Sequence, residues 1–356
     1  MLKRSFSFIS QARKYRYRTV FFIALFWTII DLISIMATSL SHLSDPWKNL
    51  LLRACFVFLM SLVMGYLFVF TLRRISRNVA PWINFLLKIF LSLMAAFVMN
   101  FLVHFVENTL IDGQSPGTAV NRFINEALST RWLVGKIFYW IALFIVTQLY
   151  IEINEKYSPG VFIDIVMGKY AIPKVENRIL LFIDLKDSTP IAEKMGHQQY
   201  FLFIREFIYD ISMALIEYNG RIYQYVGDEI VVSWNGNKEN MTNTIKAIIA
   251  ARKNIQRKSQ YYNNHYNLVP EFHVGIHVGE VTVGEIGVIK KDLAMSGDAM
   301  NTAARICSAC KDLNQKFIAS AEFIKQSNLQ EFQSESLGNI DLKGKKEDIE
   351  LFSLKI

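Results

Sequence analysis

Long apolar runs fill the first 150 residues of the chain, and shorter alternating patterns fill the remainder. Four of the runs extend over about Thr19–Leu40, Ala54–Leu72, Ile83–Val106 and Trp132–Tyr150. Each is close to the roughly 20 residues that an α-helix needs to cross the hydrocarbon of a bilayer. We therefore predict an α-helical membrane domain of four transmembrane helices over residues 19–150.

The second half of the chain alternates between the periods typical of strands and of helices. The pattern predicts strands at 179–184, 271–277, 281–286 and 316–319, helices at 197–218, 240–262 and 298–311, and a hairpin at 221–234. The order strand, helix, hairpin, helix, strand is that of ferredoxin-like α+β folds. We expect such a domain over residues 179–356. A helical connector at 151–178, interrupted at Pro159-Gly160, joins it to the membrane domain and is suited to dimerisation.

The net positive charge of the chain comes from the apolar half, because that half has few acidic residues. Residues 1–150 hold 15 Lys and Arg against 5 Asp and Glu, whereas residues 151–356 hold 24 against 26. Residues 1–18 form a basic tail, and three arginines follow the second apolar run: Arg73, Arg74 and Arg77. By the positive-inside rule, both termini and the second half lie in the cytoplasm, in a multi-pass protein of the plasma or inner membrane. Because the second half is nearly neutral, we expect no nucleic-acid partner.

Some polar residues are weighed between a functional and a structural role. Asp31 and His104 lie within or near the ends of apolar runs, where they can form a ligand or ion site or hydrogen bonds between helices. We favour the hydrogen bonds, since the two residues form no recognisable metal or haem set. Cys307 and Cys310 lack a second pair or a histidine cluster, so we expect them to be small residues of a helix.

Two aspartates end strand-like runs and carry the clearest chemistry. Asp184 follows a buried apolar run, and Asp228 lies in the tip of the predicted hairpin. Converging carboxylates suit two Mg²⁺-like ions, which can promote an in-line phosphoryl displacement. The alternative for each aspartate is a helix cap or a turn residue, and it is weaker for Asp184. The next helix opens with three polar residues whose amides can take a triphosphate: Asp187, Ser188 and Thr189.

Two further segments extend this chemistry. Glycines punctuate Gly275–Gly287, so that a ligand or a second chain can approach the backbone closely. Asn301 and Arg305 are four residues apart on one face of a predicted helix, so both can reach the same site. A guanidinium group there would neutralise charge that develops on a transferring phosphorus.

Five segments together resemble a known family. They are Phe182-Ile183-Asp184 with Ser188-Thr189, Val226-Gly227-Asp228-Glu229, Gly275–Gly279, Gly297–Arg305 and Leu342-Lys343-Gly344. In order and spacing they resemble the class III adenylate and guanylate (nucleotidyl) cyclases, over about residues 176–356. The resemblance implies a membrane-bound enzyme that converts ATP to 3′,5′-cyclic AMP and pyrophosphate, by attack of the ribose 3′-hydroxyl on the α-phosphorus.

The resemblance also implies a head-to-tail homodimer with composite active sites. Asp184 and Asp228 correspond to the acids that bind two Mg²⁺ or Mn²⁺ ions per site. Asn301 and Arg305 of the partner subunit correspond to the pair that stabilises the transition state. Lys343 corresponds to the residue that grips the terminal phosphates of the nucleoside triphosphate.

The positions that select the base depart from the family pattern. Gln224 stands where adenylyl members usually have lysine, and Ala294 stands where they have aspartate or threonine; the guanylyl pattern is absent too. ATP is the favoured substrate because adenylyl members are the more prevalent. GTP or a pyrimidine triphosphate remains an alternative, and so does a catalytically silent, cyclase-like membrane receptor. Complete retention of the metal and phosphate residues argues against the receptor.

Overall fold

The computed structural model describes most of the chain. The described residues are 11–38, 46–72, 81–127, 129–156, 161–289, 292–327, 333–345 and 347–356. Most of the basic tail, the three arginines at 73, 74 and 77, and Pro159-Gly160 of the connector lie outside these ranges. The chain forms two compact units, one of Arg13–Lys156 and one that includes Tyr157–Ile356.

The apolar runs of the first unit form helices. They are α1 (Gln11–Thr38), α2 (Pro46–Tyr66) with a π-helical continuation (Leu67–Leu72), α3 (Pro81–Val106) with a π-helical continuation (Glu107–Ile111), α4 (Pro116–Ala127) and α5 (Thr130–Lys156). Four segments are long and apolar enough to cross a membrane: Arg16–Met36, Leu50–Phe70, Phe85–Leu110 and Val134–Ile153. This confirms the prediction of four apolar helices. Helix α4 is not predicted by the apolar pattern and separates the last two segments.

A partly buried arginine connects three helical segments of this unit. Arg53 of α2 donates hydrogen bonds to both carboxylate oxygens of Asp31 on α1, at 2.8 and 3.2 Å. It donates a third, at 2.9 Å, to Glu107 at the start of the turn that continues α3. Ionic groups among apolar helices require such partners. Asp31 therefore forms hydrogen bonds between helices, which is the structural role predicted for it. The Nδ1 atom of His104 lies 3.8 Å from a carboxylate oxygen of Glu126 on α4.

The second unit contains the predicted α+β domain. Its helices are α6 (Val161–Val166), α7 (Ser188–Met195), α8 (His197–Glu217), α9 (Lys238–Arg257), α10 (Ser259–Tyr266), α11 (Asp298–Asp312) and α12 (Ala321–Gln326). Its strands are β1 (Lys174–Leu185), β2 (Arg221–Val226), β3 (Glu229–Asn235), β4 (Phe272–Ile286), β5 (Asp292–Ser296), β6 (Phe317–Ser320), β7 (Gln333–Ile340) and β8 (Ile349–Lys355). From β1 to β4 the order is ferredoxin-like, as predicted.

Two predicted boundaries are wrong. The helix predicted at 240–262 is two helices, α9 and α10, which meet at Lys258. The strands predicted at 271–277 and 281–286 are one strand, β4, because its pairing with β1 continues through the glycines from Leu185↔Phe272 to Lys174↔Val283. Glycine weakens a strand but does not end it when both neighbours in the ladder are present.

Strand β1 lies in the middle of the sheet. The strand order is β2-β3-β1-β4-β6-β8-β7, and β5 pairs with β4. β1 is antiparallel to both β3 and β4, with Ile183 opposite Ile230 and Asp184 opposite His273. The carboxyl end of β1 thus lies beside the β2–β3 hairpin.

The two faces of β1 are buried in different cores, because side chains alternate along a strand. Ile179, Leu181 and Ile183 face a core formed with helices α8, α9 and α10. Leu180 and Phe182 face a second core, which includes Ala299, Ala303 and Cys307 of α11. Cys307 and Cys310 are both buried without a disulfide, which confirms them as small residues of a helix.

Glycines in β4 allow α11 to pack closely on the sheet. A Cβ atom at Gly275 would lie 2.3 Å from the amide nitrogen of Cys307 and 2.7 Å from the carbonyl oxygen of Ala303. A Cβ atom at Gly279 would lie 2.9 Å from that of Ala299. At these two positions the close approach expected for a ligand or a second chain is therefore made by helix α11 of the same chain.

We predict that Gly275→Ala will displace α11 from the sheet. The added methyl group meets backbone atoms, which cannot move as a flexible side chain can, so we expect a loss of about 1–3 kcal/mol of stability. Hydrogen exchange of the full-length protein in detergent should show faster exchange of the α11 and β4 amides. Glu280→Ala, at an exposed position of the same strand, is the matched control. Unchanged protection in Gly275→Ala would contradict the packing argument.

Candidate active site

The β2–β3 hairpin places Asp228 at the end of the sheet. Val226 pairs with Glu229, so that Gly227 and Asp228 form a two-residue turn. Gly227 has a φ of 63°, which a type II′ turn requires at its first central position and which glycine adopts without strain. The turn thus directs a half-buried carboxylate toward the carboxyl end of β1.

Asp184 continues the face of β1 that carries Leu180 and Phe182, and it lies next to Asp228. Its pKa is raised to about 6, first by burial and then by the negative charge of Asp228 and a hydrogen bond between the two carboxyl groups. The pKa of the neighbouring Glu229 is raised to about 7 by burial and by the charges of both aspartates. Three carboxyl groups therefore share one half-buried location.

This acidic cluster fits cations. Oxygen Oδ2 of Asp228 is buried and accepts no hydrogen bond from the described residues. Within the same residues, no lysine or arginine forms an ion pair with Asp184, Asp228 or Glu229. In the described ranges, no group of three or more His, Cys, Asp and Glu side chains is placed to hold a metal ion. Two carboxylates are nonetheless what Mg²⁺ usually takes from a protein, since substrate phosphates and water complete its octahedron.

The predicted phosphate-binding residues lie beside the cluster, at the start of α7. Asp187 has a φ of 56° and occupies the cap position, but its side chain forms no capping hydrogen bond. Asp187 and Thr189 are exposed, and Ser188 is half-buried. Tyr200 of α8 contacts Ser188, and burial together with the charge of Asp228 raises its pKa. The amides that open α7 are therefore close to the acids.

Helix α11 presents the predicted transition-state pair on its outer face. Ala299, Ala303 and Cys307 face the sheet, which leaves Asn301 exposed and Arg305 half-buried. The small inward residues follow the spacing of one helical face, so the two polar residues point away from it. This arrangement leaves both side chains available to a ligand or to a second chain.

The loop between β7 and β8 lies over the start of α11. A Cβ atom at Gly344 would lie 3.2 Å from a terminal nitrogen of Arg305. Lys345 forms an ion pair with Asp298, which lowers the pKa of that carboxyl group. Lys343 is exposed; it follows Leu342, which is buried, and precedes Gly344, which is exposed. The loop holds three lysines, of which the structure describes Lys343 and Lys345. Of these two, Lys343 forms no ion pair with the described residues.

The two positions predicted to contact the base lie on different strands. Gln224 is exposed on β2, and Ala294 is partly buried on β5, opposite Gly284 of β4. They are connected through one hydrogen bond between their neighbours, which the amide of Met295 donates to the hydroxyl of Tyr223 at 2.9 Å. Ala294 itself offers no side-chain donor or acceptor.

Two residues of this site are given no role by the sequence motifs, although Glu229 lies within one of them. Glu229 directly follows Asp228, and its place opposite the end of β1 would have indicated it once the strand register was known. Tyr200 lies within the first turn of α8 and carries no motif, so that only the packing of α8 identifies it. The motifs thus predict the acids and the phosphate loop but not the side chains that surround them.

Comparison with known proteins extends over this second unit. Residues 171–355 match the family described as the Adenylate and Guanylate cyclase catalytic domain. Adenylate cyclase 2 of Rhizobium meliloti is 28% identical over 206 residues, which are 57% of each chain. An adenylate cyclase of Anabaena cylindrica is 27% identical over 221 residues, which cover 56% of this chain and 42% of the relative. The chain thus spans about half the length of these relatives.

The fold is also found in a solved structure. A bacterial light-regulated adenylyl cyclase superposes with a TM-score of 0.54 at 20% sequence identity, over 65% of this chain and 67% of that one. The likeness supports the fold, and the family match covers more than half of the chain. The chain belongs to the class III adenylate and guanylate cyclase family, with its catalytic domain over residues 171–355.

Proposed function

We propose that this protein is a membrane-bound nucleotidyl cyclase that converts ATP to 3′,5′-cyclic AMP and pyrophosphate. The observation that carries the proposal is the pair of half-buried carboxylates, Asp184 and Asp228, which lack a cationic partner among the described residues. Like charges held together in this way are costly unless cations join them. Family membership supplies the reaction, and the named adenylate cyclases among the relatives favour ATP.

Asp184 and Asp228 would hold two Mg²⁺ or Mn²⁺ ions at the end of β1. Such ions lower the pKa of an attacking hydroxyl and neutralise phosphate charge when bound. The amides of Ser188 and Thr189 and the side chain of Lys343 would bind the phosphates, so that the α-phosphorus lies within reach of the ribose 3′-hydroxyl. Pyrophosphate leaves as the new ester bond forms.

Asn301 and Arg305 would act on the transferring phosphorus. The guanidinium group of Arg305 places positive charge where the phosphoryl oxygens gain negative charge, and the Asn301 amide can donate a hydrogen bond. Both side chains point away from the sheet of their own chain. We therefore infer a homodimer in which each site takes its acids from one subunit and this pair from the other, as the family resemblance implies.

The four apolar helices would anchor the enzyme in the cell membrane. Their lengths suit the bilayer. The basic residues around positions 1–18 and 73–77 support a cytoplasmic location for these two segments, by the positive-inside rule. Both termini and the catalytic domain then face the cytoplasm, where nucleoside triphosphates are available.

The choice of substrate is tested by direct competition. The purified full-length protein is given ATP, GTP, CTP and UTP, first separately and then together, in Mg²⁺ and in Mn²⁺. We expect cyclic AMP to dominate in the mixture. Gln224 and Ala294 are the specific reason to include the other bases, because neither supplies the charged contacts of the adenylyl pattern. A dominant cyclic GMP or cyclic pyrimidine product would overturn the ATP assignment. No product from any of the four would favour the silent receptor.

Composite sites predict complementation between two inactive variants. Asp184→Asn alone and Arg305→Ala alone should each lose turnover about a thousandfold or more, because a metal ligand or the phosphate-neutralising charge is removed. A heterodimer of the two, isolated with two affinity tags, should regain about half of the wild-type turnover, because one of its two sites is intact.

The matched control is a heterodimer of Asp184→Asn with Asp228→Asn. Each of its sites retains a damaged acid pair, so it should stay inactive. If the Asp184→Asn and Arg305→Ala heterodimer were equally inactive while both chains were paired, the sites would be formed within single chains.

Metal binding should weaken in mild acid. A metal ion needs the deprotonated carboxylate, and the raised pKa of Asp184 means that this group is protonated below about pH 6. Mn²⁺ affinity of the nucleotide-free protein, measured by electron paramagnetic resonance, should be about three- to fivefold lower at pH 5.5 than at pH 7.5. The control Glu280→Gln removes an exposed acid elsewhere and should leave this dependence unchanged. Equal affinities at both pH values would contradict metal binding by Asp184.

A further inference from the structure

Strand β2 contains a β-bulge at Tyr223. Arg221 and Ile222 pair with Ser233 and Val232, but the next paired residue is Gln224, opposite Val231. Tyr223 is therefore the extra residue, and two residues of β2 oppose one residue of β3. A bulge of this kind redirects the side chains that follow it.

The bulge determines which face of the sheet carries Gln224. Ile222 packs against the first core, as does its partner Val232, whereas Tyr223 packs against the second core. Strict alternation would return Gln224 to the first face. Because of the bulge, Gln224 instead lies opposite Val231, a residue of the second core. This is also the face of β1 that carries Asp184.

The side chain of Tyr223 then ties this strand to β5. Its ring packs at the edge of the second core, together with Leu293 and Met295. Its hydroxyl oxygen accepts the hydrogen bond from the Met295 amide at 2.9 Å, across 72 positions of sequence. That amide belongs to the peptide group between Ala294 and Met295. One hydrogen bond thus connects the immediate neighbour of Gln224 to the peptide group that follows Ala294.

We propose that Tyr223 is a positioning residue for base selection, and that its hydroxyl holds Gln224 and the backbone at Ala294 in one fixed arrangement. The inference rests on the proposed function, because it assigns these two positions to the base of the nucleotide. Two strands that are not adjacent in the sheet can move apart, and selection by hydrogen bonding depends on donors and acceptors held in register. Because alanine has no polar side-chain atom, these two positions can offer a base only the Gln224 amide and the backbone groups at Ala294.

The test is Tyr223→Phe, which removes the hydroxyl and keeps the ring in the second core. We expect the ratio of affinities for ATP and GTP to fall about three- to tenfold toward equality, as expected for one lost hydrogen bond. Affinity is measured on the full-length protein with analogues whose α,β-bridging oxygen is replaced by methylene. The ratio of kcat/KM for ATP and GTP should change by the same factor, mainly through KM.

The matched control is Tyr225→Phe. Tyr225 lies two residues further along β2, and its hydroxyl is 3.1 Å from that of Ser212 on α8. Both variants lose one tyrosine hydroxyl from the same strand, but only Tyr223 contacts β5. We expect Tyr225→Phe to leave base selectivity unchanged. An equal loss of selectivity in both variants would show a general effect on β2 and would overturn the proposal.

A double-mutant comparison tests whether Tyr223 acts through Gln224. In a Gln224→Ala background, Tyr223→Phe should change selectivity by less than about twofold, because the side chain that it positions is already absent. A full additional loss would overturn the positioning role.

The binding assay separates this proposal from the proposed function. Altered selectivity in a protein without turnover would support the role of Tyr223 and count against the cyclase assignment. Normal cyclase turnover in Tyr223→Phe with unaltered base selectivity would support the cyclase assignment and overturn the role of Tyr223.

Discussion

The acidic cluster at the end of β1 is the constraint on which the rest of the catalytic domain depends. Three carboxyl groups lie where burial and mutual repulsion raise the pKa values of Asp184 and Glu229. An isolated domain gains no stability from such a location. The cluster is tolerated because the backbone that carries it is held by other contacts. Strand β1 is paired on both sides, and the turn at Gly227 fixes the position of Asp228. Under the proposed function, cations bound at this cluster would relieve the repulsion, so the free energy lost in the free protein would add to their affinity.

The two cores on the opposite faces of the sheet differ in the size of their side chains and in what they determine. The first buries large side chains of α8, α9 and α10 against the middle of the sheet and supplies most of the apolar burial of the domain. The second is built from small residues of α11 against glycines of β4. These small residues allow α11 to lie close to the sheet. The distance between α11 and the sheet in turn determines where Asn301 and Arg305 lie. Packing of the second core therefore determines where the residues of the candidate site lie, in addition to contributing to stability.

Much of this organisation could be predicted from the sequence. The long apolar runs predict the four helices. A short apolar run that ends at Asp184 predicts β1, and two β-rich runs around Gly227-Asp228 predict the β2–β3 hairpin and the convergence of the two acids. The remainder depends on contacts between residues that are distant in the chain. Continuous pairing with β1 makes one strand of β4, and no local pattern reports it. The bulge at Tyr223 is equally invisible locally, because Arg221–Val226 has an uninterrupted strand pattern. The sequence therefore identifies Gln224 as a candidate but not the face on which it lies.

The unit formed by Arg13–Lys156 shows how the role of a polar residue in an apolar run can be misjudged from sequence alone. Asp31 taken alone suggests an ion or ligand site. Arg53 accounts for it: the guanidinium group occupies both of its oxygens and also reaches Glu107, so one cation joins α1, α2 and the end of α3. These three groups carry one positive and two negative charges, and Lys136 lines the same cavity as Asp31. A set with two cations and two anions needs no bound ion to balance it. These directional contacts join particular pairs of helices, whereas dispersion forces between similar apolar surfaces discriminate poorly among pairings.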